Sequence, residues 1–289
     1  MEKSSVLRRF FAPALAALAL ASASFAPTAA AAQDTQQDKK EQAKPVEDAR
    51  QGKGKTYTAE QIAETVVLVF GSRQGMAQIR RTGVERGTIT RTAEDGRSES
   101  IPYSRVFKRG DTYEKDKIRL DQRLPSVEYS LIYSDGKVTG LLRGTPFTPK
   151  EADVSTMLSD RVHGLDALLR YKETGSTVKF VGNENQKGLE MWVLELSDKS
   201  GNATRYYISS KSGRVLWLEY DQPTTPGSTP VKFKRTFHDY RVVQGTLVPY
   251  RTVLYEGDRK VEESQVLTVT YGVKTEDSVF TGESAALQP

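Results

Sequence analysis

Residues from about Met76 to Phe147, and again from Thr177 onward, alternate apolar and polar side chains between charged turns. One amphipathic stretch at 148–172 separates the two blocks. Period-two texture on this scale restricts the chain to a mostly antiparallel sheet with few helices. In the first block, AQIRRTGVERGTITRT, IPYSRVFKRGDTYEKDKIRL and VEYSLIYSDGKVTGLLRG predict four to six strands. The second block supplies strand segments from TVKFVGNENQ to KVEESQVLTVTYGV, parted by Gly, Asn, Asp, Ser and Pro turns. Its longest break, QPTTPGST at 222–229, reads as a loop and not a domain linker.

Two helices are predicted. Thr58 and Gln61 have the spacing of a capping box, Ile62, Val66, Val69 and Phe70 follow at helical spacing, and Gly71 is a natural stop. In the second, Thr148 is placed as the cap, Pro149 at the first helical position, and Glu151 closes the box. Val154, Met157, Leu158, Val162, Leu165, Leu168 and Leu169 form its apolar stripe, with Arg161 and Lys172 expected in solvent. The expectation is a single α+β domain over 57–289 with two main helices and about ten strands.

The first 32 residues have a basic n-region (Lys3, Arg8, Arg9), an Ala/Leu/Phe run too short to span a bilayer, and small residues at Ala30–Ala32. They read as a cleavable export signal ending at Ala32. The Arg8-Arg9-Phe10-Phe11 run matches a twin-arginine signal only in part, since Leu7 precedes the pair. Residues 33–56 are polar with almost nothing to bury and read as a disordered linker. Ala49 to Thr56 fits relaxed phosphate-loop spacing, but EQAKPVEDAR before it cannot be the buried strand that such a loop must leave, so the match is coincidental.

Lys+Arg number 42 and Asp+Glu 37; removal of residues 1–32 takes three basic and one acidic residue and leaves +3, too mild to argue for nucleic acid. The run Lys232, Lys234, Arg235 with Phe233 and Phe237 reads as a half-buried strand with a solvated basic face. With no cysteine there is no disulfide, thiolate metal site, Cys nucleophile or lipid-anchored N-terminal Cys. His163 and His238 lie near no nucleophile elbow and at no metal-ligand spacing, and the carboxylates cluster in solvated turns such as Glu94-Asp95-Gly96. Neither a catalytic residue nor a cofactor is predicted.

Three stretches carry a family resemblance. Ser130 to Lys137 is a strand ending in Ser-Asp-Gly-Lys, Val106-Phe107-Lys108-Arg109 is a strand ending in a Lys-Arg pair, and the hairpin Tyr206–Leu218 precedes a late strand and Ser278-Val279-Phe280. Together with the order of elements they resemble the LolA/LolB-like periplasmic lipoprotein carriers. The resemblance implies a strongly curved antiparallel half-barrel with helices on its concave side. It also implies a periplasmic, non-enzymatic carrier, monomeric, sheltering acyl chains of lipids or lipoproteins in an apolar cavity between sheet and helices. Arg109 would be the residue that helps to hold a lid by hydrogen bonding. Two alternatives are an envelope-stress sensor-type module that binds a membrane protein's periplasmic segment, and an exported hydrolase with an unrecognised site.

The stretch YYISSKSGRVLWLEYD at 206–221 has large apolar residues on both alternating sets. A hairpin register of Ser209 opposite Arg214, Ile208 opposite Val215 and Tyr206 opposite Trp217 would put Tyr206, Ile208, Val215 and Trp217 on the helix-covered face. With Trp192, Leu194, Met157 and Leu158 they are the predicted cavity residues.

Overall fold

The computed structural model describes residues 57–125, 127–224 and 227–281. The export signal and the polar linker read from the sequence lie outside the described residues.

Helix α1 (Ala59–Val69) begins at the predicted capping box: the Gln61 backbone N–H donates to the Thr58 hydroxyl and the Thr58 N–H to the Gln61 side chain. It ends at Phe70, and Gly71 follows at φ 125°, a conformation closed to most side chains. A second helix, α2 (Arg73–Ile79), takes up residues expected to begin the first strand. Ser72 starts it by accepting from the Gly75 N–H.

Six strands follow: β1 (Thr82–Thr92), β2 (Ser98–Lys108), β3 (Lys117–Leu124), β4 (Val127–Ser134), β5 (Lys137–Leu142) and β6 (Thr145–Phe147). Next come helices α3 (Glu151–His163), α4 (Leu165–Leu169) and α5 (Tyr171–Thr174). Seven more strands complete the domain: β7 (Thr177–Gln186), β8 (Leu189–Ser197), β9 (Ala203–Ser209), β10 (Val215–Pro223), β11 (Pro230–Val243), β12 (Thr246–Glu256) and β13 (Arg259–Tyr271). The expected count of about ten is thus low by three.

The expected single helix over 148–172 is three. Phe147 pairs with Gly140 in the sheet and keeps the chain extended through Pro149, so α3 starts only at Glu151, without a side-chain cap. Gly164 (ψ 175°) then breaks it from α4, and its carbonyl accepts from the Tyr206 hydroxyl at 2.9 Å.

All thirteen strands form one open antiparallel sheet in the order β6-β5-β4-β3-β2-β1-β13-β12-β11-β10-β9-β8-β7. The chain starts near the middle, runs out to the edge at β6, crosses by α3–α5 to the opposite edge at β7, and returns to β1. Two contacts of α3 show how far the sheet bends. Tyr129 of β4 donates to Asp153 at 2.8 Å, and Ser159, six residues on, donates to Gln222 of β10 at 2.6 Å. Those strands are seven spacings apart, about 34 Å if the sheet were flat at ~4.8 Å per strand. Six helical residues rise only ~9 Å. The sheet therefore wraps around the helix, and the helices lie on its concave side.

A β-bulge corrects the predicted hairpin register. Ile208 does face Val215, but the pairing shifts past Leu216, so Trp217 lies opposite Tyr207 and Leu218 opposite Tyr206. The extra residue lets Val215 and Leu218 both point inward, which strict alternation forbids. Trp217 is turned to the other face, stacked on Tyr207 at 4.6 Å and clustered with Met191 and Val193. The Lys234 ammonium sits 4.5 Å from its ring centre and pairs with Glu219 at 3.6 Å. The double apolar pattern of this stretch thus serves two packed faces.

Candidate functional site

The concave face has two halves. Under α1, α4 and α5 the inward side chains of β8–β10 are packed solid: Leu194, Tyr206, Ile208, Val215 and Leu218 are fully buried against Ile62, Val66, Phe70 and Leu168. Burying side chains of this size stabilises the fold by ~1.5–3 kcal/mol each. Between α3 and the strands from β4 across to β11 the packing opens into a cavity of about 300 Å³. A wider groove of about 860 Å³ adjoins it and shares Arg91, Asp153, Asp160, Arg235 and Glu262 with it.

The cavity is not the purely apolar one expected. Ile118, Leu120 and Leu131 from the sheet and Met157 from α3 form an apolar side, but eight basic and six acidic residues also line the cavity. The register explains this. Glu85, Ile89 and Arg91 are alternate residues of β1, and Tyr103, Arg105 and Phe107 are alternate residues of β2, so both strands turn charged residues inward. Gly87, also on this set, is required by close approach: a Cβ there would lie 2.2 Å from the Gln265 carbonyl oxygen and 2.8 Å from the Tyr103 ring.

Most of these charges tie helix to sheet. Asp160 of α3 pairs with Arg235 of β11. Asp166 of α4 lies 3.5 Å from Arg109 and 4.0 Å from Arg80, while Arg80 also donates to the Thr246 hydroxyl and the Leu247 carbonyl. Burial alone would raise the Asp166 pKa, but the combined field of Arg109, Arg80, Arg170 and Arg105 outweighs it and holds the carboxyl at about 2. Glu262 behaves in the opposite sense: burial and the nearby Asp160 push it up, although Arg91 lies 3.4 Å away.

Arg161, expected in solvent, is buried. Its guanidinium sits 4.4 Å from the Tyr113 ring centre and 4.0 Å from that of Tyr133, with Asp116 at 3.7 Å. Arg170 also pairs with Asp116, and the two arginines fix the β2–β3 connection to the helices. His163 is buried too, stacked on Tyr220 with ring centres 4.0 Å apart and hydrogen-bonded to the Thr204 hydroxyl at 2.7 Å. Desolvation, only partly opposed by Asp198, lowers its pKa to about 4. Among the described residues, no group of His, Asp and Glu is gathered in a metal-binding arrangement.

Two solved structures are similar to this architecture. A DUF1329 family protein from Desulfovibrio piger superposes with a TM-score of 0.55 at 13% identity, over 78% of this chain and 98% of that one. A LolA superfamily protein from Nitrosomonas europaea gives 0.54 at 14% identity, with the same coverage. The fold is LolA-like. Sequence comparison adds nothing to this, since no protein-family model and no curated protein matches the chain.

On this LolA-like frame, two of the predicted site residues reach the cavity. Met157 forms part of its roof and Arg109 part of its rim. Leu158 is half-buried beside the Leu131, Tyr133 and Met157 cluster. Leu194, Tyr206, Ile208 and Val215 lie in the solid half, and Trp192 is at its margin against Tyr57, ring centres 5.2 Å apart. Trp217 is on the opposite face of the sheet. The sequence reading passed over Arg105, Tyr103 and Leu120, and it placed Arg235 on a solvated basic face, whereas that side chain turns inward with Phe233 and Phe237 and pairs with Asp160. Their one available signal was inward parity on β2, β3 and β11, and parity alone does not say which stretch of a concave face is left unfilled.

Proposed function

We propose that this protein is an exported, periplasmic binding protein of the LolA-like kind that shelters an acyl chain in the cavity between α3 and the concave sheet. The observation that carries this reading is the cavity itself: on the half of the concave face that the helices do not fill, Ile118, Leu120, Leu131 and Met157 form an apolar side to space for a ligand. A cavity of about 300 Å³ with a single apolar side suits one chain rather than several. Arg109 and Asp166 serve in this reading as the lid contact, because they join α4 to the end of β2 at the rim.

The test uses the mature protein, purified and stripped of lipid. It should enhance the emission of a fluorescent fatty-acid probe saturably, and protein purified without stripping should release lipid to organic solvent. Absence of both signals would remove the basis for a lipid carrier.

A further inference from the structure

Across the sheet beneath the cavity, Glu85 of β1, Arg105 of β2, Leu120 of β3 and Leu131 of β4 stand opposite one another in register, and all four line the cavity. The row is charged at one end and apolar at the other, and Met157 of α3 packs against Leu131. The other cavity arginines have acidic partners: Arg235 has Asp160, Arg91 has Glu262, Arg161 has Asp116, and Arg80 and Arg109 share Asp166. Arg105 differs. Among the described residues no carboxylate oxygen comes within 4 Å of its guanidinium, which lies 5.9 Å from the Phe107 ring centre. Its cross-strand neighbour Glu85 instead accepts from the Tyr103 hydroxyl at 2.9 Å.

A half-buried guanidinium whose carboxylate neighbours stay beyond contact distance, in a cavity with an apolar side next to it, suits an amphiphile with an oxyanion head. The planar fork of Arg can take both oxygens of a carboxylate, or two of a phosphate, and these charge-assisted bonds are about twice as strong as neutral ones. We propose that Arg105 is a head-group subsite. It binds the oxyanion of a single-chain amphiphile, with the chain lying along Leu120, Leu131 and Met157. This inference rests on the acyl-binding reading above and narrows it to anionic, single-chain ligands.

The test is a calorimetric titration of the wild type, Arg105→Gln and Arg105→Lys with dodecanoate, dodecanol and acetate. Wild type should bind dodecanoate at least about ten-fold more tightly than dodecanol, the factor expected for one charge-assisted contact. Arg105→Gln should bring the two close to parity, while Arg105→Lys keeps part of the preference. Acetate should not compete with dodecanoate. Equal binding of acid and alcohol by the wild type, or a preference that survives Arg105→Gln, would overturn the head-group role while leaving acyl binding intact. Competition by acetate as strong as by dodecanoate would replace the amphiphile with a free anion. If neither dodecanoate nor dodecanol binds, the acyl-binding reading fails and takes this one with it. Should Arg105→Gln fail to fold, the acid-to-alcohol comparison on wild type and Arg105→Lys still decides.

Discussion

The Asp166 carboxylate on α4 lies 3.5 Å from the Arg109 guanidinium just past the end of β2 and 4.0 Å from that of Arg80 beyond α2. One side chain thus joins the helical cover to two separate stretches of chain. Asp166→Asn should lower the urea midpoint at pH 7 by an amount corresponding to on the order of 1 kcal/mol, since a side chain 42% exposed is partly screened. It should also speed tryptic cleavage within residues 148–176. The carboxyl is held at about 2, below its ordinary 3.8, so its contribution is present above pH ~4 and fades as pH falls through 2. A midpoint difference just as large at pH 2 would show that the charge is not its source.

His163 gives a second, separate pH dependence. Its pKa falls from 6.5 to about 4 on folding, so the unfolded chain binds the extra proton between those values. Stability is complete above pH 6.5 and declines as pH drops toward 4. His163→Asn should be less stable at pH 7 but show a flatter midpoint between pH 6.5 and 4. The same slope in the variant would assign it to other groups.

The solid half of the concave face should dominate stability. Leu218→Ala empties a fully buried site and should cost ~2–5 kcal/mol in chemical denaturation. Leu267→Ala, at a residue 65% exposed, should stay within ~0.5 kcal/mol of wild type. Similar costs for both would contradict the bulge that turns Leu218 inward.

Gly87→Ala tests the close approach beneath the cavity. The added methyl meets the Gln265 carbonyl oxygen and the Tyr103 ring, and overpacking of this kind costs ~1–3 kcal/mol. Because Tyr103 holds Glu85, dodecanoate affinity should change as well. A variant as stable as wild type would mean that the β1–β13 pairing yields more easily than the geometry indicates.

Much of the fold is written in local signals. The Thr58–Gln61 box marks the start of α1, period-two alternation with turn residues marks all seven strands of the second block, and Ser130 to Lys137 marks β4 and its turn. Such signals act within a few residues along the chain, so the sequence alone determines them. Helix α2 escaped because it is short and carries Gly75, a weak helix former. The start of α3 moved because strand pairing at Phe147 outweighed the local cap.

The site depended on longer-range effects. Alternation assigns side chains to two faces, but it does not identify which part of a face the helices fill. That was decided where α1, α4 and α5 dock on β8–β10, leaving the cavity to β1–β4 and β11–β13. One bulged residue at 216 moved Trp217 to the opposite face, and Tyr113 and Tyr133 turned an apparently solvated Arg161 into a buried one. The physical reason is common to these cases. Burial and charge pairing depend on partners dozens of residues away in sequence, which only the curvature of the sheet brings within reach.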